Sequence, residues 1–427
     1  MDSFTIDVWS ATGEEAAASR TDAVAPPNGT SATPSTHSSS NNNNKKKNRK
    51  YWKRKSSYLP RIGCLRIEED KEGNFDASVD IAGEDTNPSH LVVMVNGIMG
   101  SAQNWNYAAK QFLIHFPRDV IVHCSKVNSS TSTFDGVDVM GERLAKEVIS
   151  VIERHPSVKK ISFIGHSLGG LVARYAIAKL YRQGPVNELS QANGDRKSYG
   201  FEDMSIQEKL KRSIAGLEPI NFITLATPHL GSRWHKQVPL FCGLHTLEKV
   251  ATSISWIFGR TGKHLFLADG DNGKPPLLFQ MVSDSEDLKF TSALQSFKRH
   301  VAYANTGSDH LVGWSTASLR HPNELPKRLH FSRDEKYRHV VHVEMSKTSS
   351  SQQEFPIGVK VNGCKSVDME EEMLQALTKV SWERVDVKFN GLKQHFLAHN
   401  TILVAKNSYL FSDGVDVVQH MIDNFLL

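Results

Sequence analysis

The chain has 427 residues, 39% of them hydrophobic and 23% charged, with a formal net charge of +5; that is long enough for one large α/β core without demanding two. Residues 1–55 hold nine Lys or Arg against five Asp or Glu, so the rest of the chain carries only +1, which argues against nucleic acid as a partner of the folded part. No run of 18 apolar residues occurs, which excludes a membrane-spanning helix, and the four cysteines lie 60 residues or more apart, favouring separate thiols in a reducing compartment over a disulfide framework.

At the N-terminus, Asp2, Asp7, Glu14 and Glu15 stand where a signal or transit peptide is basic or poor in acids, so the chain reads as soluble, unprocessed and cytoplasmic. Residues 19–44, "SRTDAVAPPNGTSATPSTHSSSNNNN", have almost nothing to offset the entropy of ordering, and disorder is expected there. The run "KKKNRKYWKRK", residues 45–55, sets eight basic residues around Tyr51 and Trp52. It can hold the chain peripherally on anionic lipid, serve as a nuclear address or contact RNA, and a merely solvated tail accounts for it equally. Residues 1–55 are therefore read as a tail and 56–427 as the folded domain.

Residues 60–82 offer two leading antiparallel strands. From His90 onward, "HLVVMVNG" (90–97), "DVIVHCS" (119–125), "KKISFIGH" (159–166), "INFITLAT" (221–227) and "RHVAYAN" (299–305) are apolar runs without polar alternation, the mark of strands covered on both faces. Between them, Val137, Met140, Leu144, Val148 and Val151 recur at helical steps up to a stop at Pro156. Strands alternating with helices predict a doubly wound, mainly parallel sheet.

Gly165, His166, Ser167, Leu168 and Gly169 spell G-x-S-x-G, a weak signal alone. Here it follows an apolar strand and opens the helical pattern "SLGGLVARYAIAKLY", the strand-turn-helix setting that lifts a serine oxygen out towards substrate. Ser167 is thus a candidate nucleophile and the N–H of Leu168 a candidate oxyanion donor. The second donor falls in "VNGIMGS" (95–101), where Gly97 lets the chain turn and the N–H of Ile98, or secondarily Met99, faces the site. Gly97, Met99, His166 and His229 are further candidates for the pocket wall, though His229 suits a turn equally well.

A triad acid and base should follow in that order. Asp309 is the first carboxylate after the strand 299–305, with Asp284 as runner-up. Of the two histidines between the last strand, "RVDVKF" (384–389), and the last helix (412–427), His399 is set among apolar anchors and is preferred to His395. His420 sits mid-helix as a structural residue. His339 and His342 point to opposite faces of a strand, so no metal site is read there, and no phosphate loop or dinucleotide fingerprint implies a cofactor.

Taken together, "VNGIMGS", "FDGVDVMGERLAKEV", "GHSLGGLVARYAI", "LATPHLGS", "YANTGSDHLVGW" and "AHNTILV" resemble the lipase-like "putative serine esterases", a branch of the α/β-hydrolases, over residues 90–427. The elbow is shared with lipases at large, whereas "ATPHLGS" and "DHLVGW" are more particular to this branch. The resemblance implies Ser167 as nucleophile, Asp309 as acid and His399 as base, in an α/β-hydrolase domain acting on an acyl ester or lipid. The apolar face of "LHTLEKVATSISWIFG", inside residues 233–280, fits a cap or lid insertion, or equally a core-packing helix. The rival function is a non-catalytic member of the same fold that binds a lipid or small hydrophobic ligand.

Overall fold

Among the described residues, nine β-strands share one sheet. The computed structural model describes residues 64–69, 75–80, 87–183, 212–232, 258–271, 273–332, 334–346, 366–390, 394–405 and 410–427. The strands are β1 (Cys64–Glu69), β2 (Phe75–Asp80), β3 (His90–Val95), β4 (Val120–Cys124), β5 (Lys160–His166), β6 (Tyr181–Gln183), β7 (Arg212–Ile214), β8 (Glu218–Leu225), β9 (Arg299–Asn305), β10 (Val340–Glu344) and β11 (Trp382–Val387). The helices are α1 (Asn106–His115), α2 (Val137–Arg154), α3 (Leu168–Leu180), α4 (Gly259–Leu265), α5 (Leu277–Gln280), α6 (Phe290–Gln295), α7 (Trp314–Ser318), α8 (Ser366–Thr378), α9 (Gln394–Thr401) and α10 (Val415–Asp423).

In space the large sheet runs β1-β2-β4-β3-β5-β8-β9-β11-β10. Pairing is parallel from β4 through β11 and antiparallel only where β1, β2 and β10 join the two edges. The sequence expectation of two leading antiparallel strands and a parallel core is met. Residue alternation along β3 explains the apolar runs: Leu91, Val93 and Val95 enter one core with residues of α2, α3, α6 and α8, while Val92 and Met94 enter the other with residues of α1, α9 and α10. Helices on both faces of a mainly parallel sheet make this the doubly wound α/β fold that the alternation of strands and helices predicts.

The parallel registers bring the C-terminal ends of the core strands to one edge. Val95 pairs with Gly165, His166 with Leu225, and Asn305 with Val387, so the loops after β3, β5, β9 and β11 leave side by side. Ligands of open α/β sheets bind at this edge.

The expected tail at 1–55 and residues 233–257 of the expected insertion lie outside the described residues. The described end of that insertion is tied to the sheet's helical layer. Thr261 on α4 accepts the N–H of Gly136 at 3.0 Å, and His264 Nδ1 accepts that of Val137 at 3.1 Å, which meets two of the donors that α2 leaves open at its start. His399 stands on helix α9, and Ala398 within it and Ile402 and Leu403 just after it are buried in a core.

Candidate active site

The strand-to-helix turn at Ser167 is tight because three glycines remove the atoms that would block it. A Cβ on Gly165 would lie 2.6 Å from Gly170 Cα, one on Gly169 2.7 Å from the Asn96 carbonyl oxygen, and one on Gly97 2.8 Å from Ser167 Cβ. Ser167 itself takes φ 55° and ψ −127°, a region that side chains strongly disfavour. Its N–H is held by the Leu225 carbonyl at 2.8 Å, so the strain is fixed by the end of β8. The N–H of Leu168 opens α3 and, among the described residues, has no acceptor, as expected of a first-turn donor.

Across from the elbow, the loop 97–101 treats the amides of Ile98 and Met99 differently. The Met99 N–H is donated to Thr133 Oγ1 at 3.0 Å and its side chain is half exposed, whereas the Ile98 N–H has no acceptor among the described residues.

Asp309 and His399 meet although 90 positions apart: His399 Nδ1 lies 2.9 Å from Asp309 Oδ2. Since the carboxylate accepts, Nδ1 carries the hydrogen and Nε2 is left as the basic nitrogen of the neutral ring. Asp309 is buried and saturated, with Oδ2 also accepting from Asn305 Nδ2 at 2.8 Å and Oδ1 from the N–H groups of Leu311 and Val312 at 3.0 Å each. Burial is the largest single influence and pushes its pKa up. The His399 charge and hydrogen bond, with those from Asn305 and Val312, together outweigh it and hold the acid below its ordinary value.

His166, foreseen only as a pocket residue, links the elbow to the base. Its Nε2–H donates to the His399 carbonyl at 2.7 Å, and the two rings lie 4.7 Å apart. Burial, and then the His399 charge, lower its pKa to about 3, so it stays neutral. Asn305, which the sequence reading passed over, bridges in the same way, giving its second hydrogen to the Ala398 carbonyl at 3.4 Å. The one available signal was a polar residue closing an otherwise apolar strand.

Other candidates fall elsewhere. His229 is fully buried, with Nε2 3.0 Å from Thr224 Oγ1 and its ring edge-on to Trp382. Its carbonyl accepts from Arg174, a buried guanidinium whose pKa burial lowers to about 10 and which also donates to the Met281 carbonyl at 2.9 Å. Asp284 caps α6 by accepting the N–H groups of Thr291 and Ser292. His420 Nδ1 pairs with the Tyr303 hydroxyl at 2.9 Å. His339 and His342 pair with different carboxylates, Asp416 and Asp386. His395 stands on α9, but its side chain lies outside the described residues.

Among the described residues, no cluster of His, Cys, Asp or Glu has the grouping a metal ion needs. A cavity of about 590 Å³ lined by Arg320, Glu344, Glu371, Leu374, Trp382 and Arg384 lies away from Ser167. Its arginines are already paired, Arg320 with Glu344 and Asp386 and Arg384 with Glu344.

Residues 85–319 match the family model described as "Putative serine esterase (DUF676)". Two curated relatives from Saccharomyces cerevisiae are similar. "Putative lipase YDL109C" is 31% identical over 236 residues, which is 54% of this chain and 30% of that protein. "Putative lipase ROG1" is 31% identical over 267 residues, which is 62% of this chain and 33% of that protein. The matched part of the chain thus spans about a third of the length of each. Among solved structures, carboxyl esterase 2 from the fungus Tuber melanosporum aligns with 83% of this chain and 87% of its own, at 11% identity and a TM-score of 0.37. With more than half of its length matched by the family model, the chain belongs to the "Putative serine esterase" family.

Proposed function

We propose that the chain hydrolyses carboxylic esters with lipid-like acyl groups, through Ser167, His399 and Asp309. The observation that carries this reading is the convergence at one sheet edge of a serine held at φ 55° and a buried His399–Asp309 pair whose free nitrogen is Nε2. In the proposed cycle His399 Nε2 takes the proton from Ser167 Oγ as Oγ bonds to the ester carbonyl carbon. The N–H groups of Ile98 and Leu168 receive the oxyanion. Collapse breaks the bond to the alcohol, which leaves with the proton from His399. Water then attacks the acyl enzyme, giving its proton to His399; the acyl–Oγ bond breaks, the acid departs, and Oγ regains its proton. Asp309 stays ionised throughout and steadies the imidazolium.

An apolar acyl group is supported by what the loops expose. Met99 after β3 and Leu311 after β9, on loops that leave the same sheet edge as Ser167, are each about half exposed. Apolar side chains on loops flanking a nucleophile favour a greasy substrate.

A fluorophosphonate label tests the reading, together with hydrolysis of esters of rising acyl length. Labelling is expected in the wild type and absent in Ser167→Ala, with kcat/KM rising from acetyl to longer chains. An unlabelled wild type would turn the reading towards a binding protein, and a preference for acetyl would remove the lipid-like substrate.

A further inference from the structure

We infer that Thr133 and Thr261 are positioning residues for the oxyanion loop, which makes α4, a helix within the expected insertion, a buttress of the candidate catalytic machinery; this rests on the esterase reading above. Two peptide planes flank Ile98. In the first, the Gly97 carbonyl accepts from Gly100 N at 3.0 Å and from Asn96 Nδ2 at 3.1 Å. A trans peptide sets its N–H opposite its carbonyl, so these two donors turn the Ile98 N–H to the other side of the loop. Gly97 Cα is itself packed on Ser167, since a Cβ there would lie 2.8 Å from Ser167 Cβ.

The second plane is fixed by Thr133. Its Oγ1 accepts the Met99 N–H at 3.0 Å and donates to the Ser130 carbonyl at 2.6 Å, so the hydroxyl's direction is determined. Met99 stands at φ 52°, a conformation that a non-glycine residue keeps only where its surroundings impose it. Ile98 is thereby held between a plane set by Asn96 and one set by Thr133.

Thr133 is held in turn from outside the loop. Thr261 Oγ1 on α4 donates to the Thr133 carbonyl at 2.7 Å and accepts the Gly136 N–H at 3.0 Å. Next to it, Phe134 and Phe258 pack with ring centroids 5.7 Å apart. A continuous path of hydrogen bonds thus runs from α4 through Thr261 and Thr133 to the Met99 amide. A shift of α4 would reach the oxyanion donor without touching Ser167, Asp309 or His399.

The test uses the full chain with Thr133→Val, Thr133→Ser, Thr261→Val, Thr261→Ser and the double valine variant. Steady-state hydrolysis of a soluble short-chain ester is measured, with fluorophosphonate labelling and thermal unfolding on the same preparations. Loss of one oxyanion donor costs on the order of 100-fold in kcat, and misplacing it should cost part of that. Thr133→Val is expected to lower kcat about tenfold or more with KM within about twofold, and Thr133→Ser to recover most of it. Thr261→Val should lower kcat less, and the double variant should fall short of the product of the two, because both act on one path. Amide exchange at Met99 gives a readout independent of activity and should quicken in Thr133→Val. A labelled, active wild type with unchanged kcat in Thr133→Val overturns the inference alone, as does unchanged Met99 exchange or a loss that serine does not rescue. An unlabelled wild type overturns it together with the esterase reading.

Discussion

Replacing His166 by Phe separates the two things that residue does. The ring contact with His399 at 4.7 Å is kept, while the Nε2–H that donates to the His399 carbonyl at 2.7 Å is lost. That carbonyl lies in the last turn of α9, where intrahelical donors run out, and the described residues offer it no other donor. His399 is buried, so water is a poor replacement. Leaving a buried acceptor unmet costs about 1–3 kcal/mol. If α9 relieves that cost by tilting, the imidazole moves away from Ser167, and at about 1.4 kcal/mol per factor of ten the penalty corresponds to roughly a 5–150-fold loss of kcat/KM. The assay is kcat/KM for a chromogenic ester across the pH range, beside urea unfolding of the same variant. A His166→Gln variant, which keeps a donor, should recover part of the rate. A His166→Phe enzyme with wild-type kcat/KM but reduced stability would refute the reasoning, since the bond would then serve only the fold.

Two further outcomes follow from the same geometry. Ser167→Gly removes a side chain from φ 55°; relief of about 1–3 kcal/mol of strain, less about 0.5–1 for the freer unfolded glycine, should leave the inactive variant about 1 kcal/mol more stable than Ser167→Ala. Equal urea midpoints for the two would show that the elbow stores no strain. Stability should also fall with acid from about pH 6.5, because burial, with nearby Lys160 for His90 and His399 for His166, lowers these two histidines to about 3, and burial lowers His300 to about 4. Their folded pKa values lie below the unfolded one, so the stability they lend is complete above about 6.5 and is lost as pH falls towards 4 and then 3, at up to about 1.4 kcal/mol per pH unit for each. Unfolding free energies that stay level between pH 7 and 5 would contradict this.

The strands were legible because burial on both faces removes polar alternation, and β3, β5 and β9 lie where their apolar runs begin. The segment around His399 was not. Its helix α9 is eight residues long, about two turns, which is too short for an apolar repeat to set a helical period apart from an apolar loop. Beyond Arg233 the pattern of alternating strand and helix lapses. The anchorage of α4 on the start of α2 rests on Thr261 and His264, more than 120 positions from Gly136 and Val137, and no local period reports such a contact.

The site shows the same division more sharply. Ser167, Asp309 and His399 could be named from the sequence because the roles proposed for them demand residue types, and Asp309 and His399 pair through their side chains. What fastens them does not. His166 reaches the His399 carbonyl, Asn305 that of Ala398, Arg174 that of Met281 and Thr261 that of Thr133. Every residue offers a carbonyl, so a bond to one places no demand on the partner's identity and leaves no complementary mark in the sequence. The consequence is physical as well as practical. With the loops secured through their backbones, the outward side chains of Met99 and Leu311 carry no such structural duty, and they can change without moving the backbone that holds the Met99 amide or the one that closes on Asp309.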